Sequence, residues 1–189
     1  MFISRILDHN YIVPLLGKYD EKNDQLRFVR GNATGQYESV DEWLRESTPK
    51  LVTRIRVMLE VARTIRYIHS MDIVLYSHFI RSGHLFLDSN LRTKILFFGL
   101  FAWWHREASI YGYEDSGLLG ECTYESNIFA FGKLFRLVCF EDGNSVIKQY
   151  FLPNHVNARR LIGRCHAKDL KSRPTMEDVV KEMETWNFS

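Results

Sequence analysis

Residues 69–100 read HSMDIVLYSHFIRSGHLFLDSNLRTKILFFGL. Two short apolar runs within it, HLFLD (84–88) and TKILFF (93–98), have the composition of strands, and the polar SNLR between them supplies a tight turn. Upstream stands the strongest helical signal in the chain, LVTRIRVMLEVARTIRYIHSM (51–71). There Leu51, Ile55, Met58, Ala62, Ile65 and Ile68 recur at three- and four-residue steps and form one apolar stripe. Downstream, residues 99–125 read as loop, and ESNIFAFGKLFRLVCF (125–140) resumes a helical pattern, apolar nearly all round and therefore expected to be buried. Helices are predicted over about 143–151, 155–166 and 174–186, the last with Thr175 as N-cap and acids in its first turn. Before the long helix, SVDEWLRES (39–47) opens with Ser39 and Glu42 in capping-box spacing. YIVPLLGKY (11–19) and DQLRFVRG (24–31) read as two strands around a polar turn. The order is a few strands and then mostly helices, an α+β pattern without internal repeats.

The 189 residues suit one ordinary domain or a large part of a two-lobed one, and 46% apolar with 14% aromatic residues is enough for a sizeable core. Twenty-five basic against 23 acidic residues leave a net charge of +2, and the basic residues are scattered rather than clustered, which argues neither for nor against a nucleic-acid or membrane surface; no nucleic-acid partner is expected. Cys122, Cys139 and Cys165 lack the paired spacing of a zinc site or a disulfide framework. No apolar run has the length of a membrane span or the form of a signal peptide, so no membrane insertion is expected, and the location expected is cytoplasmic. The N-x-S/T triplets at Asn32 and Asn187 then carry no meaning. The charges of RIR (54–56) and KDLKSR (168–173) are expected on solvated faces.

In succession, the segments resemble a protein kinase domain of tyrosine-kinase-like flavour. LDHNYIVPLLG resembles the family's L-x-H-P-N-I-V-x-L-x-G, and LEVARTIRYIHSMDIV the helix leading into its catalytic loop. LFLDSNLRTKILFFGL resembles the hairpin that ends in the DFG motif. ESNIFAFGKLF resembles the buried S-D-V-Y-S-F-G helix, and CHAKDLKSRPTMEDVVKEM the closing C-x-x-x-D-P-x-x-R-P-T segment. The matches span nearly the whole chain in order. They imply a mainly helical large lobe over 37–189 and a truncated small-lobe β remnant with the hinge over 1–36.

The same resemblance implies that the reaction has gone. Phosphoryl transfer requires a base for the acceptor hydroxyl, side chains that hold magnesium and a lysine on the phosphates. Ser77, His78 and Phe79 fall on the family's H-R-D triplet, so a phenyl ring replaces the base; a one-residue shift places Ile80 there, which is no acid either. His84 falls on the metal-binding asparagine, and one imidazole without a carboxylate is a poor magnesium site. Phe97, followed by Phe98 and Gly99, falls on the DFG aspartate. Asp88 matches a position that does no chemistry, and HRE at 105–107 lies after the FFG turn, where the triplet has no role. The family's glycine-rich loop, strand lysine and helix glutamate would all precede Met1. GNATG (31–35) stands at the expected hinge, a context in which it is no phosphate loop, and Arg30 would bring charge into the adenine pocket.

Scaffold positions fare better. Glu114, with Asp115 as its rival, and Arg173 fall on the acid and arginine that pair inside the family's large lobe. Asn127 replaces the aspartate that holds the catalytic loop's backbone, and an amide retains one or two of those hydrogen bonds. Trp103, Trp104, Tyr111 and Tyr113 lie in the loop and serve either as core packing or as anchors for a partner. The reading is a pseudokinase, not an enzyme and without cofactor, acting as a scaffold or allosteric regulator in signalling. Its expected partner is a protein, such as an active kinase or another signalling protein. The alternative is a fragment or divergent member of the ATP-binding protein kinases, with magnesium and ATP as residual ligands.

Overall fold

The computed structural model describes residues 10–13, 15–20, 25–30, 37–96, 122–141 and 153–188. In chain order the elements are β1 (Ile12–Val13), β2 (Leu15–Asp20), β3 (Gln25–Arg30), β4 (Glu38–Ser39), α1 (Val40–Ser47), α2 (Leu51–His69), β5 (Leu85–Leu87), β6 (Thr93–Leu96), α3 (Tyr124–Phe140), α4 (Pro153–Cys165) and α5 (Met176–Glu184). The result is a mixed α+β fold, mostly helical with a small four-stranded sheet. The helix predicted over 143–151 lies outside the described residues.

The strand expected over 11–19 is two strands in two sheets. Ile12 and Val13 pair in parallel with Ile95 and Leu96, whereas Leu15–Asp20 pairs antiparallel with Gln25–Arg30 as a separate hairpin. Pro14 stands between them, and a residue without an amide hydrogen cannot continue a ladder through the junction. The larger sheet has the order β1-β6-β5-β4. It therefore joins strands from both sides of the expected boundary at 36/37.

All six residues of the predicted α2 stripe are buried, and so are Val57, Leu59, Val61 and Thr64. The helix lies inside the fold because other elements cover it on several sides. Thr64 donates from Oγ1 to the Thr93 carbonyl at 2.9 Å, which ties the β5–β6 hairpin to its middle. Arg63 and Arg66 reach Glu184 at 2.8 Å and Glu177 at 3.5 Å on α5. Arg54 corrects the expectation of a solvated RIR face. It is buried, with Nε donating to the Pro49 carbonyl at 2.8 Å and a terminal nitrogen donating to the Val138 carbonyl at 3.1 Å. Its five fixed donors let one side chain join the start of α2 to the far end of α3.

Helix α3 starts in a capping box between Thr123 and Ser126. Phe131, Phe135 and Val138 are fully buried, but Tyr124, Lys133, Arg136 and Leu137 are exposed. The helix therefore has one open face, contrary to the all-round burial that its composition suggested. Helix α4 packs close against α3 at Gly132, where an added Cβ would stand 2.8 Å from the Cys165 Cβ and 3.0 Å from His166 Nε2.

Helix α5 begins where its sequence predicts. The Thr175 hydroxyl accepts from the Asp178 amide at 3.1 Å, and the Asp178 carboxylate accepts from the Thr175 amide at 3.0 Å. Thr175→Ala should cost about 1 kcal/mol, as for an ordinary N-cap loss. Urea unfolding would measure this, and an unchanged midpoint would contradict the cap's role.

Candidate functional site

The segment 73–84 leaves the end of α2 and reaches β5 through two 3₁₀ turns, Ser77–Phe79 and Ser82–His84. Leu75 and Ile80 anchor it in the core. Asn127, in the first turn of α3 and fully buried, holds it by the backbone. Asn127 Nδ2 donates to the Leu75 carbonyl at 2.6 Å, and the Leu75 amide donates to Asn127 Oδ1 at 2.9 Å. His69 Nε2 lies 3.1 Å from the same Oδ1; since a carbonyl oxygen only accepts, Nε2 carries the proton. Ser77 Oγ donates to Ser126 Oγ at 2.9 Å and adds a second tie to α3.

Beyond these anchors the segment is aromatic. Tyr76 stacks on His78 with ring centroids 4.8 Å apart and meets Phe79 edge-on at 5.8 Å. Phe79 in turn leans on His84 at 5.4 Å. The two residues assigned by resemblance to the base and to a metal ligand thus pack against each other as rings. His84 Nδ1 is buried without a hydrogen-bond partner. Asp88 folds the following turn, its Oδ1 accepting from the Asn90 amide at 2.8 Å and the Arg92 amide at 3.0 Å. No group of three or more potential metal-ligating side chains occurs among the described residues.

Arg173 stands at the same end of α3. Its Nε donates to the Ala167 carbonyl at 2.9 Å, a terminal nitrogen donates to the Glu125 carbonyl at 2.8 Å, and its Cζ lies 4.9 Å from the centre of the Phe129 ring. Phe97, Trp103, Trp104, Tyr111, Tyr113, Glu114 and Asp115 lie outside the described residues, as do GNATG and HRE.

Three histidines are held toward their neutral form by their surroundings. Burial holds His69 below its ordinary 6.5, against the pull of the Asn127 hydrogen bond and the Glu125 charge. Burial and then the charges of Arg136 and Lys133 lower His166, with Arg173 adding to the effect. His155 is lowered by burial and by Arg159. Each folded value lies below the unfolded one, so the unfolded chain binds protons first as the pH falls. The stabilisation is complete above about 6.5 and is lost as pH drops through the lowered values. Asp169 and Asp178 are lowered from 3.8 and act only in stronger acid. Urea unfolding at pH 7.5 and pH 5 should therefore show lower stability at pH 5; equal stability would contradict the lowered proton affinity of these rings. Burial also raises both inner thiols, Cys165 to about 12, so Cys139 and Cys165 are unreactive.

Sequence reasoning singled out Asn127 and Arg173 but missed His69, Arg54 and Gly132. His69 is 58 residues from Asn127 along the chain, and no local pattern announces such a contact. Arg54 sits in a charged triplet whose bland reading is solvent. Gly132 lies inside a helical pattern, which was the available signal for a close packing. No protein-family model matches the chain, and no curated protein matches it either. Among the described residues no helix is long and apolar enough to cross a membrane.

Proposed function

We propose that this chain is a kinase-like binding module that transfers no phosphate, a scaffold or allosteric regulator acting through a protein partner. The observation that carries the reading is the ring of Phe79, packed between Tyr76 and His84 where the resemblance requires a carboxylate. A hydrocarbon ring accepts no proton, and a missing general base alone costs roughly 10²- to 10⁴-fold. Each absent charge at the phosphates costs about another 10²- to 10³-fold. Asn127 supports the same reading from the other side, since it keeps the segment ordered although the segment has no proton to move. Free, buried Cys139 and Cys165 suit a reducing, cytoplasmic setting.

The test is a thermal melt of the purified chain with and without excess magnesium and ATP, together with a radiolabelled phosphotransfer assay. A ligand at ~100 times its dissociation constant adds about 2.7 kcal/mol, worth roughly 5–10 °C in a domain of this size. The expected result is a cooperative melt that ignores nucleotide and no transfer above background. A shift of that size, or measurable transfer, would overturn the reading.

A further inference from the structure

A groove of about 530 Å³ runs between the segment 77–82 and the open face of α3. Arg81, Lys133, Arg173 and His78 line it beside Phe129 and Leu137, and no carboxylate lines it among the described residues. Phe129 is flanked by two cations, with Lys133 Nζ 4.7 Å and Arg173 Cζ 4.9 Å from its ring centre. Arg173 is positioned by two backbone carbonyls, dipoles that orient a guanidinium without cancelling its charge. The carboxylate of Asp41, which accepts from Ser82 at 3.3 Å, is shared with Arg45. His166 stands 4.9 Å from Phe129, and burial first, then the charges of Arg136, Lys133 and Arg173, hold it below its ordinary value. Leu137 is 41% exposed at the groove's apolar end, and Leu134 lies beside it.

Cations converging on a concave surface with an apolar floor complement a chain that carries negative charge and a hydrophobic side chain. We propose that this groove docks an acidic peptide segment of a partner protein, its anionic groups facing Arg81 and Lys133 and an apolar side chain seated on Leu134 and Leu137. The proposal rests on the reading of the chain as a binding module and names the chemistry of its partner. Glu114, the expected mate of Arg173, lies outside the described residues, so the test turns on Arg81 and Lys133, both exposed.

The experiment is fluorescence anisotropy with a short labelled peptide of glutamates around a single leucine, titrated with the full chain. Three proteins are compared: wild type, the double variant Arg81→Glu/Lys133→Glu, and the control Arg160→Glu, an exposed charge reversal on α4. Melts verify that all three fold. The expected result is saturable binding that weakens roughly tenfold or more in the double variant, persists in the control and falls with added salt. Absence of saturable binding, or equal binding by wild type and the double variant, would overturn the proposal. So would displacement of the peptide by a lower concentration of a single-stranded oligonucleotide of equal charge, which would assign the groove to nucleic acid. A peptide that fails to bind while ATP leaves the melt unchanged sinks the groove alone. A nucleotide-induced shift sinks the binding-module reading whatever the peptide does.

Discussion

Asn127→Ala is expected to remove about 2–5 kcal/mol of folding stability, because it leaves both the amide and the carbonyl of buried Leu75 without partners. The loss comes from desolvated groups rather than from packing, since the side chain removed is small. That distinguishes it from an ordinary core truncation: Asn127→Leu, which restores volume, should not recover the stability. Asn127→Asp is the informative companion. Its carboxylate can accept from the Leu75 amide and from His69, but it sets an oxygen against the Leu75 carbonyl where Nδ2 now donates. A carboxylate beside His69 raises the imidazole's folded value against the lowering by burial, so the stability that this ring loses as the pH falls should shrink relative to wild type. Urea unfolding of the variants across pH 5–8 reads both effects. An alanine variant as stable as wild type would mean that water replaces the amide at Leu75, and the clamp would not be what orders the segment.

Gly132→Ala should destabilise by about 1–3 kcal/mol, although alanine is the better helix former by roughly 1 kcal/mol. The added methyl meets the Cys165 Cβ at 2.8 Å, and a Cβ is fixed to its backbone and cannot swing away. His166 Nε2, at 3.0 Å, stands on the other side of the same contact. Helices α3 and α4 must therefore part, and the cost appears as lost burial of Phe131, Leu161 and their neighbours. Cys165→Ala offers no relief, because it keeps the offending carbon. Gly163, on the exposed side of α4, has open space around it and provides the control: Gly163→Ala should be neutral or stabilising. Chemical denaturation of the two alanine variants decides it, and a Gly132 variant more stable than wild type would refute the close-packing account.

What was legible in the sequence divides along physical lines. The helices of 40–47, 51–69, 124–140 and 176–184 announce themselves through local signals, namely apolar periodicity and the caps at Ser39 and Thr175. These act within a few residues and survive any tertiary arrangement. The sheet was less legible. Nothing local says that residues 12–13 leave their neighbours to pair with 95–96, because parallel pairing between distant segments has no signature in either one. The site shows the same division. Phe79 and His84 take their assignments from the resemblance alone, whereas the contact of His69 at the clamp depends on a fold that brings α2 and α3 together. Arg54 was misplaced because charge predicts solvent unless a long side chain finds carbonyls to serve.

The parallel pairing of β1 with β6 also sets a clock on how the molecule forms. Ile12 and its partner Ile95 are about 80 residues apart, and ribosomes extend chains at ~5–20 residues per second, so the first strand waits roughly 4–16 s for the last to be made. Helix α1 and the whole of α2 emerge during that wait, and α2 can form its turns early because its bonds are local. The arrival of Thr93 to meet Thr64 covers only part of its apolar surface, because α3 and α5, which pack on its other sides, are made later still. The nascent chain is thus exposed to misassociation from the completion of α2 until α5 is made, and that whole interval is where a chaperone would have most to do.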